Sequence, residues 1–260
     1  MSGDPLAEPV ADPLADLVAL SRWLGDPERA LAILGEGNTS AVVAPGRIRV
    51  KASGASLGAS GPEDFVEIDV ARALSLLEKS SLSDAELAAG LAAARTDGDR
   101  RPSIEAILHA LAVDTAGASF VGHTHPVALN ELLCSDQADA LVAGALFPDQ
   151  IVVCGRHPVL VPYADPGLPL ARAVRDGLSA HLQRHGVPPR VVYLRNHGML
   201  ALGQSAVDVR QITEMTVKVA RVLAGALAVG APRYLTDEQA DRIDSREDEH
   251  HRQQILARQR

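Results

Sequence analysis

The stretch Phe120-Val-Gly-His123-Thr-His125 constrains this chain more than any other. Apolar and small residues around two histidines at spacing two read as a β-strand, and alternate residues of a strand share a face. His123 and His125 therefore aim two imidazoles at one point, and Pro126 ends the run. Two buried imidazoles on one face are costly without partners. Upstream, Pro102-Ser103-Ile104-Glu105 opens a helix-like segment; downstream, Arg195-Asn196-His197-Gly198 closes another apolar run. Together they supply the parts of a three-histidine, one-carboxylate metal site suited to a borderline-soft divalent ion, zinc first, with manganese, cobalt and iron also compatible. Spacing alone does not force these segments together. Each histidine also reads as an ordinary strand or turn residue, Glu105 as a first-turn carboxylate favoured by the helix dipole, and His109 as its i, i+4 partner or a competing ligand.

A chain of 260 residues with 47% hydrophobic content can bury one sizeable core. No run approaches the roughly 18 apolar residues of a membrane span, and the acidic N-terminus lacks a signal-peptide pattern. Two cysteines, Cys134 and Cys154, do not make a disulfide framework, so a reduced, cytoplasmic protein is expected. A net charge of −8 and 3% aromatic residues argue against nucleic-acid binding.

Residues 1–13 read as a flexible leader, 14–235 as one domain, and 236–260 as a highly charged C-terminal helix. A helical pattern runs from Leu14 to about Leu34. Short β runs at Ala41–Ala44 and Arg47–Lys51 form a hairpin through Pro45-Gly46, and Val66–Ile68 adds a strand. Ser83 to Glu86 has capping-box spacing, and Pro102 opens a helix to about Val113. Further strands are expected at 119–125, 150–153, 191–195 and 199–202, then a long helix from Ser205 and a last one from Thr236. Interleaved strands and helices give an α/β chain, a three-layer α/β/α sandwich around a largely antiparallel or mixed sheet. His157, His181, His185, His250 and His251 read as solvated or structural.

Two glycine-and-serine segments, Gly37-Asn38-Thr39-Ser40 and Ser53-Gly54, offer hydroxyls and approachable backbone. Ser103 at a helix start adds donors for an anion, and Lys51 a positive charge. No Walker motif or dinucleotide fingerprint is present.

Five segments in this order resemble the class II aldolase/adducin family: Gly37-Asn38-Thr39-Ser40, Val50-Lys-Ala-Ser53-Gly54, Pro102-Ser-Ile-Glu105-Ala-Ile-Leu-His109, Val121-Gly-His123-Thr-His125-Pro126 and Asn196-His197-Gly198. The likeness spans about Asp16 to Gly230. Val161-Pro-Tyr163, Pro166-Gly167 and Arg233-Tyr234-Leu235-Thr236 are similar to the aldolase portion of bifunctional aldolase/short-chain dehydrogenases, without the dehydrogenase portion.

The resemblance implies the class II aldolase-like sandwich and zinc held by His123, His125 and His197, with Glu105 near the metal and acting as acid and base. It implies that Asn38, Ser53, Gly54 and Ser103 bind a phosphate, and that the chain forms a homotetramer with sites at subunit interfaces. Family aldolases borrow a tyrosine from a neighbouring subunit, and Tyr163 and Tyr234 are the nominees. The implied reaction, as in fuculose- and rhamnulose-phosphate aldolases, is reversible cleavage of a phosphorylated ketose through a metal-stabilised enediolate. Epimerase, dehydratase and decarboxylase chemistry fit the same cage. A non-enzymatic adducin-like module is disfavoured by the intact ligand set and the lack of a basic tail. Glu36, where relatives often carry a small or aromatic residue, and Ile104, where some carry a second serine, depart from the pattern and leave the substrate open.

Overall fold

The computed structural model describes residues 13–98 and 100–246. The expected leader falls almost wholly outside that range, as does the last helix beyond Arg246 with His250 and His251. The strands are β1 Asn38–Ala44, β2 Arg47–Lys51, β3 Phe65–Asp69, β4 Arg95–Asp97, β5 Phe120–Thr124, β6 Val159–Val161, β7 Val191–Leu194 and β8 Gly198–Gly203. The α-helices are α1 Leu14–Leu24, α2 Val70–Leu74, α3 Asp84–Ala93, α4 Ala106–Ala116, α5 Val127–Leu133, α6 Pro148–Cys154, α7 Leu168–His185, α8 Ala206–Val229 and α9 Asp237–Asp244.

All eight strands form one sheet in the order β4-β3-β2-β1-β5-β8-β7-β6. Every neighbouring pair is antiparallel except β6 with β7, so the sheet is mixed, as expected. Strand alternation sorts side chains into two apolar layers. Ile48, Val50, Val121, Val192, Leu194, Leu200 and Leu202 pack with α2, α3, α4 and α7. Phe120, Val191, Tyr193, Met199 and Ala201 pack with α1, α5, α6 and α8 on the other face. The histidine strand β5 lies mid-sheet between β1 and β8.

The capping box at Ser83 forms as expected, and the last helix, expected from Thr236, opens there with a capping box of its own. Other boundaries differ. The first helix ends at Leu24, where the Asp26 carboxylate accepts from Glu28 N and a 3-10 turn follows. Residues 150–153, expected as a strand, belong to α6. Their β-branched run carries a strand signal, but Pro148 occupies the first helical turn, and Ile151, Val152 and Cys154 bury one face. Asn38-Thr39-Ser40, expected in a loop, begins β1. The helix expected from Pro102 begins at Ala106, because Pro102 instead pairs with Ala52 in an isolated bridge. The short strands β4 and β6 and the helices α2, α5 and α7 were not anticipated. Both cysteines are free, and burial raises the Cys154 thiol to about 11. Among the described residues, no helix is long and apolar enough to cross a membrane.

Candidate metal centre

β5 delivers His123 on the same face as Val121, toward α4, and its ring is fully buried. Its Nδ1 donates to the Met199 carbonyl at 2.9 Å, which leaves Nε2 facing the site. His125 follows the strand, its backbone N–H bound to the Leu31 carbonyl at 2.8 Å. The two Nε2 atoms stand 3.0 Å apart. His197 arrives on the β7–β8 turn. There Asn196 takes a left-handed φ of 54°, a conformation asparagine tolerates better than most residues, and Asn130 Nδ2 donates to the His197 carbonyl. The three rings meet edge to face with centroids 4.8 to 5.0 Å apart.

Two glycines let the neighbouring strands close on this point. A Cβ at Gly37 would lie 2.6 Å from the His123 carbonyl oxygen, and one at Gly198 would lie 2.4 Å from that of Thr124. Both motif glycines are thus explained by close backbone approach.

Glu105 sits immediately before α4, with its backbone N–H donating to Ser103 Oγ. Its Oε2 lies 3.4 Å from His123 Nε2 and its Oε1 lies 3.2 Å from His197 Nε2. Asn38 Nδ2 donates to Oε2 at 2.8 Å. Burial opposes charge on Glu105, but His123 and His197 hold its carboxyl well below the usual range. Burial likewise opposes charge on His123, yet Glu105 raises its pKa. His125, desolvated and beside two other imidazoles, is lowered to about 3.

Among the described residues, His123, His125 and His197 are the one set whose donor atoms come together as a metal site would require, all within 4.8 Å. Two Nε2 atoms at 3.0 Å cannot both present lone pairs without a proton or a cation between them. Three imidazole nitrogens with a carboxylate at hydrogen-bonding range are the donor chemistry of a zinc-type ion, so these residues fit such a group.

His109 is not a ligand and does not bond Glu105. It lies buried on α4, bonded to Ser40 Oγ at 2.7 Å and to Asn38 Oδ1. Burial lowers its pKa to about 3. Among the anion segments, the Ala52–Pro102 bridge and the Ser53 N–H bond to the Arg101 carbonyl bring Ser53-Gly54 beside Ser103. Two expected residues turn elsewhere. Thr39 alternates to the opposite face, where its hydroxyl pairs with Ser21 Oγ at 2.6 Å. Lys51 is 2% exposed, and its ammonium bonds the Ala55 carbonyl beneath the loop. Tyr163 is exposed just past β6 and donates to Asp165, whereas the Tyr234 hydroxyl donates to the Ala140 carbonyl. Glu36, noted in the sequence only as a departure, places Oε1 3.8 Å from His125 Nδ1. The Met199 carbonyl carried no sequence signal, because backbone acceptors have none.

A second histidine group lies at the far end of β7. Arg190, just before that strand, lines a cleft with His157, His181, His185 and Asp244. His157 and His185 stack at 4.0 Å with planes 16° apart, and His181 lies 4.7 Å from His185.

The profile of the Class II Aldolase and Adducin N-terminal domain family matches residues 15–224. None of the curated proteins compared matches the chain. Among solved structures, an L-fuculose 1-phosphate aldolase aligns at TM-score 0.69 and 20% identity over 90% of this chain and 95% of that one. YgbL from Klebsiella pneumoniae aligns at 0.67 and 20% over 89% and 97%. The N-terminal Class II Aldolase domain of a conserved Thermoplasma acidophilum protein aligns at 0.63 and 22% over 87% and 97%. At these identities the likeness is one of fold.

Proposed function

This chain belongs to the class II aldolase and adducin family, and from that premise we propose that it is a metal-dependent enzyme that reversibly cleaves a phosphorylated ketose. The supporting observation is a carboxylate, Glu105, within 3.4 Å of the buried His123 Nε2 and 3.2 Å of His197 Nε2, at a point where three imidazoles converge. A purely structural cluster gains little from that arrangement, because it must take a carboxylate out of water to form it. The same observation favours an enzyme over an adducin-like interaction module.

His123, His125 and His197 would hold the ion, zinc in the first instance, with Glu105 beside it. Once bound, such an ion supplies Lewis-acid polarisation of a carbonyl and stabilises negative charge developing there. Glu105 acts on the substrate as base and acid: in condensation it takes the proton from the carbon next to the carbonyl, and in cleavage it returns it. The neighbouring His123 and His197 keep its carboxyl ionised, the form a base requires. Ser53, Gly54 and Ser103 hold the phosphate end, and that binding energy orients the reacting carbons. Asn38 acts from beneath, through its bond to Glu105. Tyr163, exposed at the His197 end of the sheet, is the better tyrosine nominee for the far-side hydroxyl, since the Tyr234 hydroxyl is engaged. The family's homotetramer is the expected assembly.

A panel of ketose 1-phosphates, ketose 5-phosphates and methylthioribulose 1-phosphate, incubated with zinc-loaded protein and followed by mass and NMR, tests the reading. Two carbonyl fragments from one ketose phosphate support aldol cleavage. Epimer or dehydration product in their place would reassign the reaction within the same cage. No turnover of any member would sink the proposed activity.

A further inference from the structure

One buried histidine is left over by the proposed chemistry. His109 is fully buried one helical turn after Glu105, on the same face of α4. Asn38 and Ser40, two residues apart on β1, share the face that meets it. The bonds form a line: Ser40 Oγ to His109 Nδ1 at 2.7 Å, His109 Nε2 to Asn38 Oδ1, and Asn38 Nδ2 to Glu105 Oε2 at 2.8 Å.

The direction of this line is fixed by which atoms can donate. An amide oxygen only accepts, so His109 must donate from Nε2–H, and its bare Nδ1 accepts from the Ser40 hydroxyl. With Asn38 Oδ1 held in that way, its NH2 group is the end that faces Glu105. Turned over, the amide would set an oxygen against a carboxylate, two acceptors with no proton between them. Burial keeps the imidazole neutral, which leaves one nitrogen bare.

We propose that His109 is a positioning residue: as its Nε2–H tautomer it sets which end of the Asn38 amide faces Glu105, and so keeps the Glu105 carboxyl group turned toward His123 and His197. The effect on turnover rests on the proposed function; the tautomer and the effect on metal affinity do not. A residue that only fills space would need neither the donor nor its direction.

The test uses the full chain. In zinc-free protein labelled with 15N-histidine, the long-range 1H–15N spectrum at pH 7 should show His109 protonated at Nε2 and bare at Nδ1, with the resonance identified by its loss in His109→Gln. The Nδ1–H tautomer or an imidazolium would overturn the proposal. Two variants then separate donor from volume. Glutamine can place an N–H near the position of Nε2, whereas leucine fills the space without a donor. Circular dichroism confirms that both fold before they are compared. His109→Leu should weaken zinc binding by about tenfold and lower kcat by about 10- to 100-fold with KM within about threefold, the range typical of partners that orient a metal ligand. His109→Gln should recover to within about threefold of wild type in both readouts, on the same scale. Equal losses in the two variants, or a leucine variant with wild-type zinc affinity, would overturn the role. If wild type turns over no sugar phosphate, the proposed activity fails, and the spectrum and zinc affinity still decide His109.

Discussion

Three imidazoles gather at each end of β7, and the two gatherings behave differently. His123, His125 and His197 come from a central strand end and a tight turn, and they meet edge to face around a carboxylate. His157, His181 and His185 come from the approach to β6 and the last turns of α7, and His157 and His185 lie face on face. Stacked rings bury their planes and leave their nitrogens pointing along the edges, so the donor atoms do not converge. Burial and the neighbouring imidazole lower the pKa of His157, and burial with the same neighbours lowers that of His181. Roughly 13 Å of strand, at about 3.3 Å per residue, separates the groups. Proximity of histidines is common to both; the direction of their lone pairs is not.

The comparison is sharpest at Glu105, which only the first group possesses. Glu105→Gln should lower kcat by about 100-fold or more, the low end of what a general acid–base group contributes, while zinc stoichiometry stays near that of wild type. Full turnover in this variant would remove the distinction between the two ends. Metal titration is the next discriminator. His123→Ala should abolish tight zinc binding, whereas His181→Gln/His185→Gln should leave it unchanged. Tight binding that survives the first change and falls with the second would invert the assignment.

A smaller effect should appear in the pH dependence of stability. His157 and His181 have folded pKa values below the unfolded value of about 6.5. The unfolded chain therefore binds more protons below that pH. Their contribution is full above about 6.5 and is lost as pH falls toward the folded values. Around His157, Arg156 opposes protonation, and Asp237 and Asp244 favour it. In zinc-free protein, His157→Gln/His181→Gln should shallow the drop in urea midpoint between pH 7 and 5 relative to wild type; an unchanged profile would show that these histidines carry no such linkage. The smallest change is expected for Thr39→Val, which removes the bond to Ser21 on the face away from Glu105. It should cost about 1 kcal/mol of stability, as for one buried hydrogen bond, and leave kcat/KM unaltered.

The sequence carried much of the first group and little of the second. The His-x-His spacing, the Pro102 segment and the Asn196-His197-Gly198 corner were legible because strand alternation and turn chemistry are local. The spacing of His181 and His185 on a helix face was equally local, but that helix went unread. Its partner His157 comes from another element, and nothing in the sequence tells that the rings will stack. Residues 150–153 show the reverse failure: a β-branched run carried a strand signal that a proline-led helix packed on α8 overrode. Treating Asn38 to Ser40 as a loop concealed the alternation that sends Thr39 to one face and Asn38 and Ser40 to the other.

Donor types and their local spacing were written in the chain itself: imidazoles two apart in an apolar strand, a carboxylate near a helix start, a histidine before glycine at a turn. Whether those donors meet was settled by strand order, which puts β5 between β1 and β8 and brings the β7–β8 turn and the start of α4 to its end. The same packing gave His109 its place between Ser40 and Asn38 instead of beside the metal site. The physical reason is range: propensity and alternation act within a few residues, whereas a hydrogen bond from residue 109 to residue 38 exists only once the sheet has closed.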